Sequence, residues 1–136
     1  MVSAVSRAVG IDELLEDARR GLRRLEPQQA HQACRDGSVM IDTRPQEQRE
    51  RDGQIPGARV IDRNVLEWRL DPRSEHRDPS VAVDQQVIII CNQGYSSSLA
   101  AATLQRLGRT DATDVIGGFQ KWVACGLPVT PPRRRR

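Results

Sequence analysis

An α/β domain with a mostly parallel sheet is predicted by three observations: short apolar runs, helix-periodic segments that alternate with them, and glycines and prolines between the two. The clearest runs are Val39, Met40 and Ile41, then Val87, Ile88, Ile89 and Ile90. Four successive aliphatics without polar alternation fit a strand covered on both faces, the setting of a parallel sheet. At 136 residues the chain has the length of one domain, and no internal repeat or shift of composition divides it.

Taken in order, residues 11–24 read as an amphipathic helix. Leu14, Leu15, Ala18 and Leu22 fall near a 3.6 spacing, acids occupy the first turn and arginines the last, and Gly21 is a possible earlier stop. Pro27 suits a first helical position, and the helix it opens stops at Asp36-Gly37. The first strand follows at Val39, and its C-terminal end runs into Asp42-Thr43-Arg44-Pro45. Residues 45–52 form a short charged helix, residues 53–57 a turn and residues 58–61 a second strand, after which Asp62 caps a helix reaching Leu70. Residues 71–84, with Pro72 and Pro79, make the longest loop. Cys91 ends the most hydrophobic strand. Ser97 or Ser98 then caps a helix carrying Leu99, Ala102, Leu104 and Leu107 and closed by Gly108. A last strand at residues 114–116, a Gly117-Gly118 turn and a helix over residues 119–125 complete the domain, and Pro131-Pro132 ends it. With only Trp68, Tyr95, Phe119 and Trp122 as aromatics, the core must be aliphatic.

The formal charge of +3 comes from the tail. Four of the 21 basic residues are Arg133, Arg134, Arg135 and Arg136, which leaves 17 basic against 18 acidic in residues 1–132, a net of −1. Such a run reads as a solvated end, so a nucleic-acid partner is not expected. No apolar run approaches the ~18 residues of a bilayer span, so no membrane partner is expected. Asp12, Glu13, Glu16 and Asp17 follow the N-terminus at once and break any signal-peptide pattern. Cys34, Cys91 and Cys125 are odd in number and lack paired spacing, which points to a reducing, cytoplasmic setting.

Chemistry concentrates in Cys91-Asn92-Gln93-Gly94-Tyr95-Ser96-Ser97-Ser98. A cysteine at the end of a buried strand, before a tight loop and a helix N-terminus, has unpaired backbone N–H groups and the positive end of a helix dipole around its sulfur. That setting lowers a thiol pKa, and the thiolate is the nucleophile. Gly94 supplies a backbone conformation that such a cradle requires. The bland alternative is a structural cysteine in the core.

The loop and three further blocks resemble the rhodanese (sulfurtransferase) family over residues 25–129. The blocks are Ile41-Asp42-Thr43-Arg44, then Gly53-Gln54-Ile55-Pro56-Gly57-Ala58, the Cys91 loop with Ser97-Ser98-Leu99-Ala100, and Gly117-Gly118-Phe119-Gln120-Lys121-Trp122 with Gly126-Leu127-Pro128-Val129. The resemblance implies a three-layer fold with a central sheet of about five strands, spanning residues 25–130 between a helical extension (1–24) and a disordered basic tail (131–136). It implies a cysteine persulfide on Cys91, fed by a sulfur-containing anion such as thiosulfate or by a persulfide donor. Cyanide, a small thiol or a protein thiol would accept the sulfur, with no metal or organic cofactor. The N–H groups of Asn92, Gln93, Gly94, Tyr95 and Ser96, with Ser97, would bind the sulfur species. Asp42 and Arg44 would brace the loop, Arg44 meeting the donor's charge, although a structural ion pair is the alternative. Gly117 and Gly118 would form a turn facing the loop.

Two positions depart from the family pattern: Ser96 stands where many members have arginine, and Gln54 where many have histidine. The first removes a cation that would bind thiosulfate. A binding module without turnover is the main competing reading. Phosphatase or arsenate-reductase chemistry is disfavoured because no arginine lies between Cys91 and Leu99 to fork around an oxyanion. His31 and Cys34 share a helix face and could form a metal pair, though packing is the simpler reading, and Cys125 could resolve an oxidised Cys91 or merely fill space.

Overall fold

The structure is a computed structural model that describes residues 7–132. Residues 1–6 and the four terminal arginines, expected as a disordered tail, lie outside the described residues. The elements are α1 (Ile11–Arg20), α2 (Pro27–Arg35), β1 (Val39–Asp42), α3 (Gln46–Asp52), β2 (Arg59–Val60), a 3₁₀ turn (Arg63–Val65) running into α4 (Leu66–Leu70), β3 (Val87–Ile90), α5 (Ser96–Arg106), β4 (Thr113–Asp114) and α6 (Gly118–Ala124).

The four strands pair in the order β2-β1-β3-β4, all parallel. About five strands were expected. The fifth is reduced to a single residue, because Leu25 bridges Val115 in parallel, with Leu25 N–H donating to Asp114 O and Ile116 N–H to Leu25 O, before Pro27 opens α2. Proline has no N–H to extend a ladder and instead starts a helix well.

Side chains alternate across the sheet and build two cores. Ile41, Val87 and Ile89 face α4 and α5, where they meet Leu66, Leu70, Ala101 and Leu104. Met40, Ile88 and Ile90 face α2 and α6, where they meet Ala30, Phe119 and Trp122. Two helical layers therefore cover β3 completely, as its unbroken aliphatic run requires. α1 packs on α5 through Leu15.

Several expected boundaries move, with β2 shortened to Arg59–Val60 and β4 placed at Thr113–Asp114. α1 ends at Arg20 with Gly21 as its C-cap, so Arg23 and Arg24 leave the helix. α5 starts at Ser96 with no side-chain cap, since the Ser97 and Ser98 hydroxyls turn instead to the buried Asp114 carboxylate at 2.7 and 2.8 Å. A buried carboxylate needs donors more than an already solvated helix end does. α6 spans Gly118–Ala124, shifted by one residue. The long loop after α4 is anchored by the buried Arg109 guanidinium, which donates to the carbonyls of Leu70, Ala82 and Gln85. Among the described residues no helix is long and apolar enough to cross a membrane.

Candidate active site

After β1 the chain turns towards β2, and after β3 it turns the other way towards β4, so the gap between the C-terminal ends of β1 and β3 is the switch point of the sheet. Open α/β sheets bind ligands at that point. Here β1 delivers Thr43 and Arg44, and β3 delivers Cys91. The two strand ends are tied by Thr43, whose N–H and hydroxyl both donate to Ile90 O at 3.0 and 3.2 Å. A cavity of about 280 Å³ opens there, lined by Thr43, Arg44, Pro45, Gln48, Cys91, Asn92, Gln93, Tyr95 and Ser96.

Cys91 is 7% exposed, at the floor of this cavity. Gly94 N–H donates to its sulfur at 3.2 Å. Burial opposes ionisation of the thiol, yet hydrogen bonds from Ser97, Ser96 and the Gly94 N–H outweigh it and hold the pKa below the ordinary thiol range. Ser96 and Ser97 sit at the head of α5, and an anion gains most from donors fixed before it forms. Cys34 is the contrast: half-buried without such donors, its thiol is pushed up to about 11. His31, its neighbour on α2, packs edge-on against Trp122 at 5.6 Å between ring centroids.

Glycine is required where the loop meets the Gly117-Gly118 turn. Gly94 has φ +85° and Gly118 φ +61°. A Cβ on Gly118 would lie 2.5 Å from Cys91 O and 2.7 Å from Gly94 N, while one on Gly94 would lie 2.8 Å from Gly117 N. The contact lets α6 satisfy the loop's carbonyls: Phe119 N–H donates to Cys91 O at 2.8 Å and Gln120 N–H to Asn92 O at 3.0 Å. The Gln120 side chain also holds the Asn92 amide, at 2.9 Å.

Arg44 lies on the cavity wall with its side chain fully buried. Its Nε and Nη2 grip Asp42, with Nη2 on Oδ2 at 2.9 Å, and Nη2 also donates to Gly53 O at 2.8 Å. The guanidinium sits 3.6 Å over the Phe119 ring, and Nη1 has no hydrogen-bond partner among the described residues. Asp42 and Arg44 therefore join β1 to the residue-53 turn and, through Phe119, to α6, whose N–H groups hold the carbonyls of the Cys91 loop. Breaking such a buried pair from one side costs about 3–5 kcal/mol. Gln54 is exposed and pairs with Thr130 through mutual backbone bonds.

Sequence reasoning missed the back of the loop. Asp114 on β4 takes the Ser97 and Ser98 hydroxyls and both Nε and Nη2 of Arg24, and Arg19 and Arg24 both donate to Gly94 O. These partners lie 70 or more residues apart for the arginines, and an arginine in the last turn of a helix already had a local explanation in the dipole.

The sequence matches the Rhodanese-like domain family over residues 26–125. The chain belongs to the rhodanese-like domain family. Among its relatives, the thiosulfate sulfurtransferase GlpE of Ectopseudomonas mendocina is 33% identical over 102 residues, which span 75% of this chain and 85% of that one. The GlpE of Stutzerimonas stutzeri is 30% identical over 100 residues, 74% of this chain and 84% of the relative. Among solved structures, a protein of unknown function from Rhodopseudomonas palustris, described as a possible tyrosine phosphatase, superposes with a TM-score of 0.82 at 32% identity, covering 96% of this chain and 99% of that one. The polysulfide-sulfur transferase of Wolinella succinogenes shares the fold, with a TM-score of 0.73 at 21% identity over 91% of this chain and 88% of the other. α1 lies before the matched rhodanese-like span.

Proposed function

We propose that this protein is a sulfurtransferase that carries a sulfane sulfur as a persulfide on Cys91. The observation behind it is a buried thiol whose pKa is lowered by hydrogen bonds from Ser97, Ser96 and Gly94, at the floor of a small open cavity. Membership of the rhodanese-like family and the GlpE relatives, named for thiosulfate sulfurtransfer, support the same chemistry.

The Cys91 thiolate attacks the outer sulfur of thiosulfate, the S–S bond of the donor breaks, and sulfite leaves with the electron pair. The product is Cys91–S–S⁻. An acceptor nucleophile, cyanide or a thiolate, then attacks the terminal sulfur, takes it as thiocyanate or a persulfide, and returns Cys91 as thiolate. Both steps are displacements at sulfur and call on no metal or organic cofactor. The N–H groups of Asn92, Gln93, Gly94, Tyr95 and Ser96, with that of Ser97, stabilise the negative terminal sulfur. Asp42, Arg44, Gly117 and Gly118 hold the loop in shape. With Ser96 in the loop, no side-chain cation grips a dianionic donor there, so a persulfide or polysulfide donor fits this site as well as thiosulfate does. Three free cysteines suit a reducing cytoplasm that supplies thiol acceptors.

Phosphoryl transfer requires a forked cation around three equatorial oxygens, and the guanidinium on the cavity wall is committed to Asp42 and Gly53. The test compares thiocyanate formation from thiosulfate and cyanide with hydrolysis of an aryl phosphate, in wild type and Cys91→Ala. Thiocyanate formation that falls to background in Cys91→Ala supports the proposal. Faster aryl-phosphate hydrolysis than thiosulfate consumption, or transfer that survives Cys91→Ala, overturns it.

A further inference from the structure

One backbone carbonyl behind the Cys91 loop accepts hydrogen bonds from two guanidinium groups, and both come from the N-terminal segment that precedes the family-matched span. Arg19 Nη2 donates to Gly94 O at 2.7 Å, and Arg24 Nη2 reaches the same oxygen at 3.0 Å. Each arginine is anchored a second time on the head of α5 or its partner. Arg19 Nε donates to the Ser98 hydroxyl at 3.0 Å, and Arg24 forms a fork on Asp114 with contacts of 2.9 and 3.2 Å. Asp114 in turn takes the hydroxyl of Ser97, whose N–H is one of the groups that lower the Cys91 pKa. Arg19 also lies 5.8 Å from the centroid of the exposed Tyr95 ring.

Gly94 is the residue whose own N–H points at the sulfur, at 3.2 Å. At φ +85° and without a Cβ it is also the residue at which the loop rotates most easily. A trans peptide is planar, so its C=O and the following N–H point in opposite directions. Holding Gly94 O towards the arginines therefore turns the Tyr95 N–H away from them, and it fixes the peptide plane next to the one that donates to Cys91. Charge-assisted bonds to a carbonyl also polarise its amide and strengthen the donor on the other side. Between Cys91 and Leu99 the chain has no cation of its own.

We infer that Arg19 and Arg24 are positioning residues of the Cys91 site: the N-terminal segment is a brace that holds the Gly94–Tyr95 peptide in the orientation that favours ionised sulfur. The inference rests on the reading of Cys91 as the nucleophile. Docking of the N-terminal segment alone does not require it, because Leu15 is already buried and Leu22 packs against the core.

The readout is the pH dependence of Cys91 alkylation by iodoacetamide in donor-free protein, followed by peptide mass. Arg19 is the decisive position, since it does not touch the buried Asp114 and its replacement leaves no charge unpaired there. Arg19→Gln is expected to move the alkylation midpoint up by about half a pH unit, a roughly threefold loss of thiolate below the midpoint. Arg19→Lys, which keeps a cationic donor within reach of Gly94 O, is expected to recover most of that shift, as a purely structural role would not demand. Arg109→Ala weakens the fold at the opposite end of α5, and is expected to lower the melting temperature and leave the midpoint in place. A folded Arg19→Gln protein whose midpoint matches wild type overturns the brace. A midpoint shift in a protein that takes up no sulfur from any donor supports the brace and contradicts the transfer reading, so the two fail separately.

Discussion

Two cysteines, one on α2 and one at the end of β3, show how much of the site is decided by single donors. Cys34 and Cys91 each lose hydration, but only Cys91 has hydroxyl and N–H donors aimed at its sulfur, so their pKa values move in opposite directions. The thiolate is the reacting form, and a thiol with pKa near 11 is ionised to about one part in ten thousand at pH 7. Substoichiometric iodoacetamide at pH 7 is therefore expected to label Cys91 well ahead of Cys34, with the preference shrinking as pH rises towards 11. Equal labelling at pH 7, read by peptide mass, would show that the donors do not act on the sulfur. The residue scale is also where the sequence was most legible. Cys91 stands out because strand, cysteine, glycine and serines occur in one short stretch. Arg19 and Arg24 do not, because nothing in the sequence around them distinguishes an arginine that binds Gly94 O from one that faces water.

Among the elements, the Gly117-Gly118 turn and the Cys91 loop behave as one unit. Gly118 has a left-handed φ of +61° and no room for a methyl group against Cys91 O, whereas Gly126 has φ +73° and open space around it. Alanine at Gly126 is expected to cost only the left-handed penalty of about 1–2 kcal/mol, with Cys91 reactivity retained. Alanine at Gly118 adds a backbone collision and is expected to cost more stability and to abolish fast alkylation of Cys91. Equal losses of stability and reactivity in the two variants would show that the turn does not shape the loop. The strands β1 and β3 were readable from their aliphatic runs, since a fully covered strand needs little else. The start of α5 was not, because Asp114, 16 and 17 residues further along the chain, draws away the two hydroxyls that a local rule assigns to capping. The fifth strand shrinks to Leu25 for a similar reason, as Pro27 commits the next residues to α2.

The molecule as a whole places reactivity and structural reinforcement at opposite ends of the sheet. The C-terminal ends of β1 and β3 hold Arg44 and Cys91, while the buried Arg109 fastens the long loop near the start of β3. Open parallel α/β sheets meet their ligands at such strand ends. The charge count says little: with a net of −1 outside the tail, attraction for an anionic donor must come from local donors and not from the overall field. The claim that Cys91 carries the sulfur is open to direct measurement. Intact-mass spectrometry of the full chain, treated with thiosulfate or a persulfide donor and freed of excess reagent, is expected to show one added sulfur atom. That sulfur should be released by cyanide and should not appear in Cys91→Ser. Retention of the added mass in Cys91→Ser, or an unmodified wild type with both classes of donor, would contradict it.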